Sequence, residues 1–386
     1  AQMLSDGILK AIVYKGPYQK GYQGYKTLFE YLIKDYNKDS GKYAEYYTPA
    51  SAGAIMADIL YDDTPVDKVS IYDPAAGSGT LLMSMADKVG TKNCTLYSQD
   101  RARKSTQFLR INLILNNLAH SLENVVQGNT MTNPEHKIDD DHLQQFDFII
   151  SNPPFNVDFS ADVETMKADR YGRFFAGIPN VPKKDKTSMA IYQCFLQHIL
   201  ASLKPNGKAA VVVPTGFLSA VKGIPKKIRE EIISHNWLKG AVSMPSNIFA
   251  TTGTSVSIIF LDKSRSDDND DIVLIEASDL GKKVKLENGQ KTILSEDDEQ
   301  QIINIFKKKK AVDDFSVVVK KKDIVNKQYS FSATQYFDIK IDYIPLTSEE
   351  YAHKIREYKS NLKGCFDKSR KLEEQLFTMI ERFKYE

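Results

Sequence analysis

The sequence predicts an α/β fold: a doubly wound, largely parallel seven-stranded sheet with an antiparallel strand, followed by a long C-terminal helix. Three observations predict it. Short β-rich runs alternate with helical stretches from about residue 66, the order that builds parallel sheets. Two of those runs, Phe148-Ile149-Ile150 and Ala209 to Val213, are apolar without alternation, as strands covered on both faces are. Near the C-terminus apolar residues return every four and three positions, the mark of a helix with one apolar seam.

Each element has a local reason. Val69-Ser70-Ile71-Tyr72 is β-rich and stops at Asp73-Pro74, because the residue before proline is pushed to extended backbone. An apolar helical stretch runs from Thr80 to Val89. Thr95 to Gln99 reads as a second strand, ending at Asp100. Phe108, Ile111, Leu115 and Leu118 recur at helical spacing across a helix from about Ala102 to Leu118. Val125 to Gln127 is a third strand, and Phe146 to Ser151 a fourth, stopped by Pro153-Pro154. Lys208 to Val213 is a fifth, stopped by Pro214. Leu238 to Ser243 and Ser255 to Leu261 follow, joined by a short glycine-containing loop that suits an antiparallel pair.

After Leu261 the composition turns polar and acidic, so Ser264 to Asp271 reads as a linker or loop. Asn288-Gly289 between two apolar runs is a hairpin signal. Ser295, with Asp298 three residues on, can cap a helix through Phe306. The runs Lys307 to Lys310 and Lys320 to Lys322 read first as solvated charge, with phosphate contact as the alternative. Tyr351, Ile355, Tyr358, Leu362, Cys365, Ser369, Leu372, Leu376, Met379 and Phe383 form the C-terminal seam. It predicts packing against other helices, in this chain or in another, the alternative being a long helix folded back on its own domain.

Composition narrows the function classes. The 386 residues are 42% hydrophobic and 26% charged, as ordered soluble chains are. No apolar run approaches the ~18 residues of a membrane span. The start carries no basic segment followed by an apolar one, so it does not read as a secretory signal. Cys94, Cys194 and Cys365 lie far apart and form no CxxC pair, which argues against a thiolate zinc site and for a reducing, cytoplasmic compartment. The six histidines form no metal-binding motif, so no metal is expected. A net charge of +2 is unlike that of strongly basic nucleic-acid binders. Any DNA contact is expected from a local patch or a partner.

Two motifs carry chemistry. Asn152-Pro153-Pro154-Phe155 leaves a buried strand rigidly, since two prolines cannot continue a sheet. In open α/β sheets the carboxyl ends of strands face the ligand crevice. The Asn152 amide oxygen and the Pro153 carbonyl are two acceptors in fixed geometry, which suits an exocyclic amine. Phe155 offers a flat face for a base. Asp73-Pro74-Ala75-Ala76-Gly77-Ser78-Gly79 ends the first strand, with glycines that admit a ligand closely. A dinucleotide fingerprint needs a third glycine where Leu82 stands. Asp100, ending the second strand, is placed to take ribose hydroxyls. Together they point to a nucleoside-bearing cofactor.

In sequence, Asp73 to Gly79 followed by Asn152 to Phe155 resembles the adenine-N6 DNA methyltransferases that use S-adenosylmethionine, above all the modification subunits of type I restriction–modification systems. Glu45-Tyr46-Tyr47-Thr48-Pro49 resembles that family's Gly-Glu-Phe-Tyr-Thr-Pro segment, with Ala44 in place of the glycine. Gln99-Asp100 resembles its Gln-Glu, and Gly128-Asn129-Thr130 its Gly-Asp-Thr. Gly207 to Leu218 and the segment from Met244-Pro245 through Phe249 to Gly253 also fit. The resemblance covers roughly residues 25 to 265, more weakly the rest. It implies an S-adenosylmethionine-dependent methyltransferase sheet in which Glu45, Tyr46, Tyr47, Thr48 and Pro49 sit near the cofactor. Asp73, Ala75, Gly77, Ser78, Gly79 and Thr80 wrap it, Asp100 binds its ribose, and Asn129 lies near its adenine. Asn129 stands where the family has Asp, so an acceptor stays and a charge is lost.

By the same resemblance, Asn152 and the Pro153 carbonyl hold the target amine, Pro154 stiffens the corner, and Phe155 stacks on an adenine flipped from double-stranded DNA. The loop from Asn156 to Lys186, with Arg170, Arg173, Phe174, Phe175, Lys183 and Lys184, is expected to border that base and nearby phosphates, the alternative being a mobile surface loop. Sequence choice falls to a specificity subunit docked on the C-terminal helix, and a restriction subunit belongs to such systems. The implied organisation is a short helical segment over 1–42, a catalytic domain over 43–265, a tail with hairpin and helix over 266–340, and a docking helix over 341–386. The family carries a large helical domain before this region, but only about 40 residues precede Tyr43, so that domain is expected to be cut short or absent. Rival readings are a protein glutamine-N5 methyltransferase, which clamps an amide similarly, and a catalytically silent adapter. A nicotinamide oxidoreductase fits less well, given Leu82 and the proline pair.

Overall fold

The computed structural model describes residues 48–62, 64–249, 255–286, 289–338 and 347–381. The expected segment 1–42 and the residues Glu45, Tyr46 and Tyr47 lie outside them. The chain divides into two compact units, Ala1–Phe337 and Asp338–Glu386.

The first unit opens with α1 (Ala50–Leu60), directly after Pro49. Pro49 has φ −57°, a value its ring imposes and that suits a helix entry. Then come β1 (Val69–Asp73), α2 (Thr80–Val89), β2 (Cys94–Asp100), α3 (Arg103–Leu115), β3 (Val125–Gln127) and β4 (Phe146–Ser151). After a long loop follow α4 (Tyr192–Ala201), β5 (Leu203–Pro214), α5 (Ile224–Ser234), β6 (Leu238–Ser243) and β7 (Val256–Asp262). The expected α/β alternation is present. The helix read as ending near Leu118 stops at Leu115, and Ala119–Asn124 forms a tighter 3₁₀ stretch.

Strands β3-β2-β1-β4-β5-β7-β6 make the expected seven, with β7 antiparallel to both β5 and β6. Two more strands extend this sheet to nine, β8 (Ile272–Glu276) parallel to β6 and, beyond it, β11 (Ser316–Val319) antiparallel to β8. The sequence reading stopped at Leu261 because the next stretch is acidic. The four buried residues Ile272 to Ile275 behind it are a strand. Between these two strands come β9 (Lys282–Leu286), β10 (Gly289–Ile293) and α6 (Glu296–Lys307). β9 and β10 pair antiparallel, as the hairpin signal predicts; Asn288 of the turn lies outside the described residues. Ser295 caps α6 with Asp298 in a reciprocal capping box. Helix α7 (Lys321–Asn326) follows β11.

Strand residues alternate between two apolar layers. Ala210 and Val212 pack with α1, α2, α3 and α6, while Ala209, Val211 and Val213 pack with α4, α5 and α7. Both faces of the sheet are covered, which is why its strands lack polar alternation. The acidic stretch after Leu261 also has a role. Asp271 pairs with Lys309 at 3.2 Å and with Lys320 at 2.7 Å, and Asp270 with Lys320 at 2.8 Å. These lysines answer the protein's own carboxylates, so the phosphate reading of the two basic runs loses its ground at those positions.

The described part of the second unit carries α8 (Ser348–Ile380), 33 residues and about 50 Å long. Thr347 and Glu350 form a capping box at its start. Tyr351, Ile355, Tyr358, Leu362, Leu372, Leu376 and Met379 of the seam are exposed, and Phe383 lies outside the described residues. Among the described residues no helix is long and apolar enough to cross a membrane.

Candidate active site at the strand ends

Strand order reverses between β1 and its parallel neighbour β4, so their carboxyl ends flank the crevice where such sheets bind ligands. Asp73 ends β1 and Ser151 ends β4. Ser151 Oγ donates to Asp73 Oδ1 at 2.7 Å, and the Ala75 N–H donates to the same oxygen at 3.0 Å. This bond joins the glycine-rich turn to the residue just before Asn152, across 78 positions of sequence. Burial pushes the Asp73 carboxyl up to about 7; the two hydrogen bonds pull it down, and the charge of Asp100 pushes it further up.

The turn itself is pinned from below. Asp100 accepts the Gly77 N–H at 2.8 Å and the Ala102 N–H at 2.7 Å, while burial raises its carboxyl above the usual range. Each carboxylate oxygen keeps a lone pair, so the group can still accept from hydroxyls. Gly77 and Gly79 sit at φ 53° and 82°, backbone that glycine adopts freely. At Gly79 there is a second reason: a Cβ there meets Leu109 Cδ1 of α3 at 2.2 Å. Helix packing therefore requires that glycine too, beside the ligand approach the sequence suggests. Ser78 and Thr80 face each other through their hydroxyls at 3.4 Å, and Ala75 packs against a third apolar cluster.

The β3 turn closes one side. Thr130 Oγ1 donates to the Pro74 carbonyl at 2.7 Å. Asn129 Oδ1 accepts the Met131 N–H at 3.1 Å, and Asn129 Nδ2 donates to Asp162 at 3.1 Å. Its carboxamide is therefore engaged at both ends within the protein, and holds the turn to the loop after β4.

At the corner, Pro153 is buried, Pro154 is exposed, and Asn152 and Phe155 are half-buried. Phe155 meets Tyr192 edge-on, ring centres 6.3 Å apart, and Tyr192 meets Phe217 the same way at 6.2 Å. Asn152 Nδ2 donates to Thr48 Oγ1 at 3.2 Å. Thr48 precedes Pro49, whose carbonyl accepts the Gly53 N–H at 3.1 Å in the first turn of α1. Thr48 thus belongs beside Asn152 as much as beside a cofactor.

Arg173 departs from the expectation of a phosphate-facing loop cation. It is 2% exposed. Its guanidinium holds Asp169 at 2.7 Å, the Thr130 carbonyl at 2.8 Å and the Met131 carbonyl at 2.7 Å. Nη1 lies 3.3 Å from His198 Nδ1, and His198 Nε2 lies 3.1 Å from the Tyr72 hydroxyl. A guanidinium only donates, so Nδ1 accepts and Nε2 bears the proton. Burial, helped by the charge of Arg173, keeps His198 neutral. Ser151 as a partner of Asp73, Thr130 as a partner of Pro74 and the buried ties of Arg173 escaped sequence reading. Their partners lie tens of residues away, and no local spacing announces them.

The donors and acceptors lining this crevice fit a nucleoside-bearing sulfonium: buried carboxylates at Asp73 and Asp100 suit a cationic ligand with ribose hydroxyls. The comparisons agree in kind. Residues 25–342 match the model of a family described as N-6 DNA Methylase. A type I restriction enzyme methylase subunit of Mycoplasma pneumoniae is 27% identical over 365 residues, 92% of this chain and 63% of that one. One of Methanocaldococcus jannaschii is 27% identical over 371 residues, 92% of this chain and 62% of that one. The solved methyltransferase subunit of a Streptococcus thermophilus type I restriction–modification system superposes with a TM-score of 0.66 at 25% identity, over 80% of this chain and 62% of that one. The chain therefore spans less than two thirds of the length of each of these relatives.

Proposed function

We propose, from the premise that the chain belongs to the N-6 DNA methylase family, that it is the methyl-transferring subunit of a type I restriction–modification complex. Its substrate is an adenine turned out of double-stranded DNA, methylated at the exocyclic nitrogen with S-adenosylmethionine as donor. The observation that carries this reading is the Ser151–Asp73 hydrogen bond of 2.7 Å, which sets the asparagine–proline corner directly against the glycine-rich turn. A donor pocket and an amine clamp are useful together only at such range.

Bound S-adenosylmethionine supplies a methyl group already activated on a positively charged sulfur. The protein's own residues do the rest. Asp73, Ala75, Gly77, Ser78, Gly79 and Thr80 cradle the donor, with Asp100 toward its ribose. Asn129 and Thr130 shape the wall beside its base. Asn152 Oδ1 and the Pro153 carbonyl accept the two protons of the target amine, which draws its lone pair out of the purine ring and onto nitrogen. Neither acceptor is basic enough to keep a proton, so the one displaced by the methyl leaves to water. Pro154 holds the corner, and Phe155, braced by Tyr192, stacks on the extruded base. Unstacking costs a few kcal/mol, and orienting the reactants lowers the barrier by up to ~7–11 kcal/mol. In this reading α8 docks the specificity subunit that chooses the sequence, a restriction subunit joins the same complex, and the work takes place in the cytoplasm.

The test is transfer of labelled methyl from S-adenosylmethionine to plasmid DNA grown without adenine methylation, with and without the specificity subunit. The expected result is labelled N6-methyladenine that depends on that subunit and falls by at least ~100-fold in Asn152→Ala. Label on a glutamine peptide, or no binding of S-adenosylmethionine, overturns the reading in favour of a glutamine-N5 methyltransferase or a silent adapter.

A further inference from the structure

A carboxamide has two faces of nearly equal shape, one that accepts hydrogen bonds and one that donates. A clamp for an amine works only with the oxygen forward; turned over, Asn152 presents N–H groups to N–H groups. Something has to choose the face. Among the described residues, the side-chain partner of the Asn152 carboxamide is Thr48, whose Oγ1 accepts from Nδ2 at 3.2 Å.

Thr48 is well placed for this. It stands 104 positions from Asn152 in sequence, on the lead-in to α1 instead of on the strand that carries the clamp. Pro49 fixes the backbone next to it. Behind it, α1 buries Ile55, Met56, Ile59 and Leu60, and Gly53 lets α1 lie close on α2, where a Cβ would meet Ser84 Oγ at 2.6 Å. The hydroxyl is thus presented from a rigid support.

A hydroxyl, however, both donates and accepts. If its proton is unclaimed, Thr48 can serve either face of the carboxamide. Once another acceptor takes that proton, Thr48 can only accept, and the N–H face must turn to it. No acceptor for that proton is found among the described residues, so water can hold it until a ligand with an anionic end fills the crevice. We propose that Thr48 is a positioning residue that sets the Asn152 oxygen toward the target amine, and that it does so when its own proton is taken by the carboxylate of the bound methyl donor. Donor binding and clamp orientation are then one event. The proposal rests on the functional reading above.

Its test has an arm that needs no turnover. In the full chain labelled with [15N]asparagine, the Asn152 side-chain amide signals are those lost in Asn152→Ala. S-adenosylhomocysteine, which carries the amino-acid end, is expected to slow their exchange with water at least about threefold. Methylthioadenosine, which lacks that end, is expected to leave them unchanged. Thr48→Val should abolish the effect of S-adenosylhomocysteine, and Thr48→Ser should restore it. In the chain assembled with its specificity subunit, Thr48→Val should lower kcat about tenfold, the scale of one hydrogen bond, without raising KM for DNA, and Thr48→Ser should recover it to within about twofold. Equal responses to the two ligands, or Asn152 signals in Thr48→Val that match the unsubstituted chain, overturn the proposal. Absence of methyl transfer by the unsubstituted complex instead sinks the functional reading, while the amide signals still report on Thr48.

Discussion

Asp73 and Arg173 show how much the site depends on groups that burial makes costly. Asp73 titrates near 7 in the fold and near 3.8 in an unfolded chain. Between those values the folded state holds a proton that the unfolded state has lost. Its favourable contribution is complete below about pH 4 and is lost as the pH rises through about 7. Urea unfolding followed from about pH 5 to about pH 8 should therefore show stability falling with pH, and Asp73→Asn should flatten that slope. Asp100, also raised by burial, keeps a part of it. A slope untouched by the substitution assigns the proton elsewhere. Arg173→Met should cost ~3–5 kcal/mol, because it leaves the nearly buried Asp169 carboxylate without its cation. Adding Asp169→Asn should recover part of that loss in the same measurement. The sequence displayed Asn152, the prolines and Asp73 plainly, since their types and spacing carry the chemistry. Ser151, Thr48 as a partner of Asn152, and Arg173 as a buried tie were not legible. Each acquires its role from a residue far along the chain.

Elements were read best where one local cause fixes them. Pro74, Pro153 and Pro214 end strands, and the Ser295–Asp298 box starts α6 where the spacing says. Strands β8 and β11 were missed because each is short and follows a charged stretch. Their stability comes from a neighbour, Val273 facing Gly240 in one case and Val318 facing Val273 in the other. The same logic gives Gly79 its importance for α2 and α3. Gly79→Ala puts a side chain on left-handed backbone, at ~1–2 kcal/mol, and drives a methyl into Leu109. Calorimetry should show a lower melting temperature together with weakened S-adenosylmethionine binding. Adding Leu109→Ala should relieve the collision and not the backbone strain, so recovery should be partial. Full recovery shows that packing alone required the glycine.

For the whole molecule, α8 belongs to a unit of its own, and among the described residues of that unit nothing covers its apolar seam. Deleting residues 345–386 should leave the melting temperature of the first unit within about 2 °C and abolish capture of the specificity subunit in co-purification. Retained capture removes the docking role. The sheet carries a different lesson in the position of β7. It lies between β5 and β6, so among the described strands it is the bridge from the five nearest the crevice to the three beyond. During synthesis β6 emerges first and finds no neighbour among the strands already made; it waits for a segment not yet translated. The crevice strands β1, β2 and β4 are thus all made before the far flank can close. For that interval the apolar faces of β6 stay open, and a ribosome that pauses ahead of Val256 holds a chain prone to stick to its own copies.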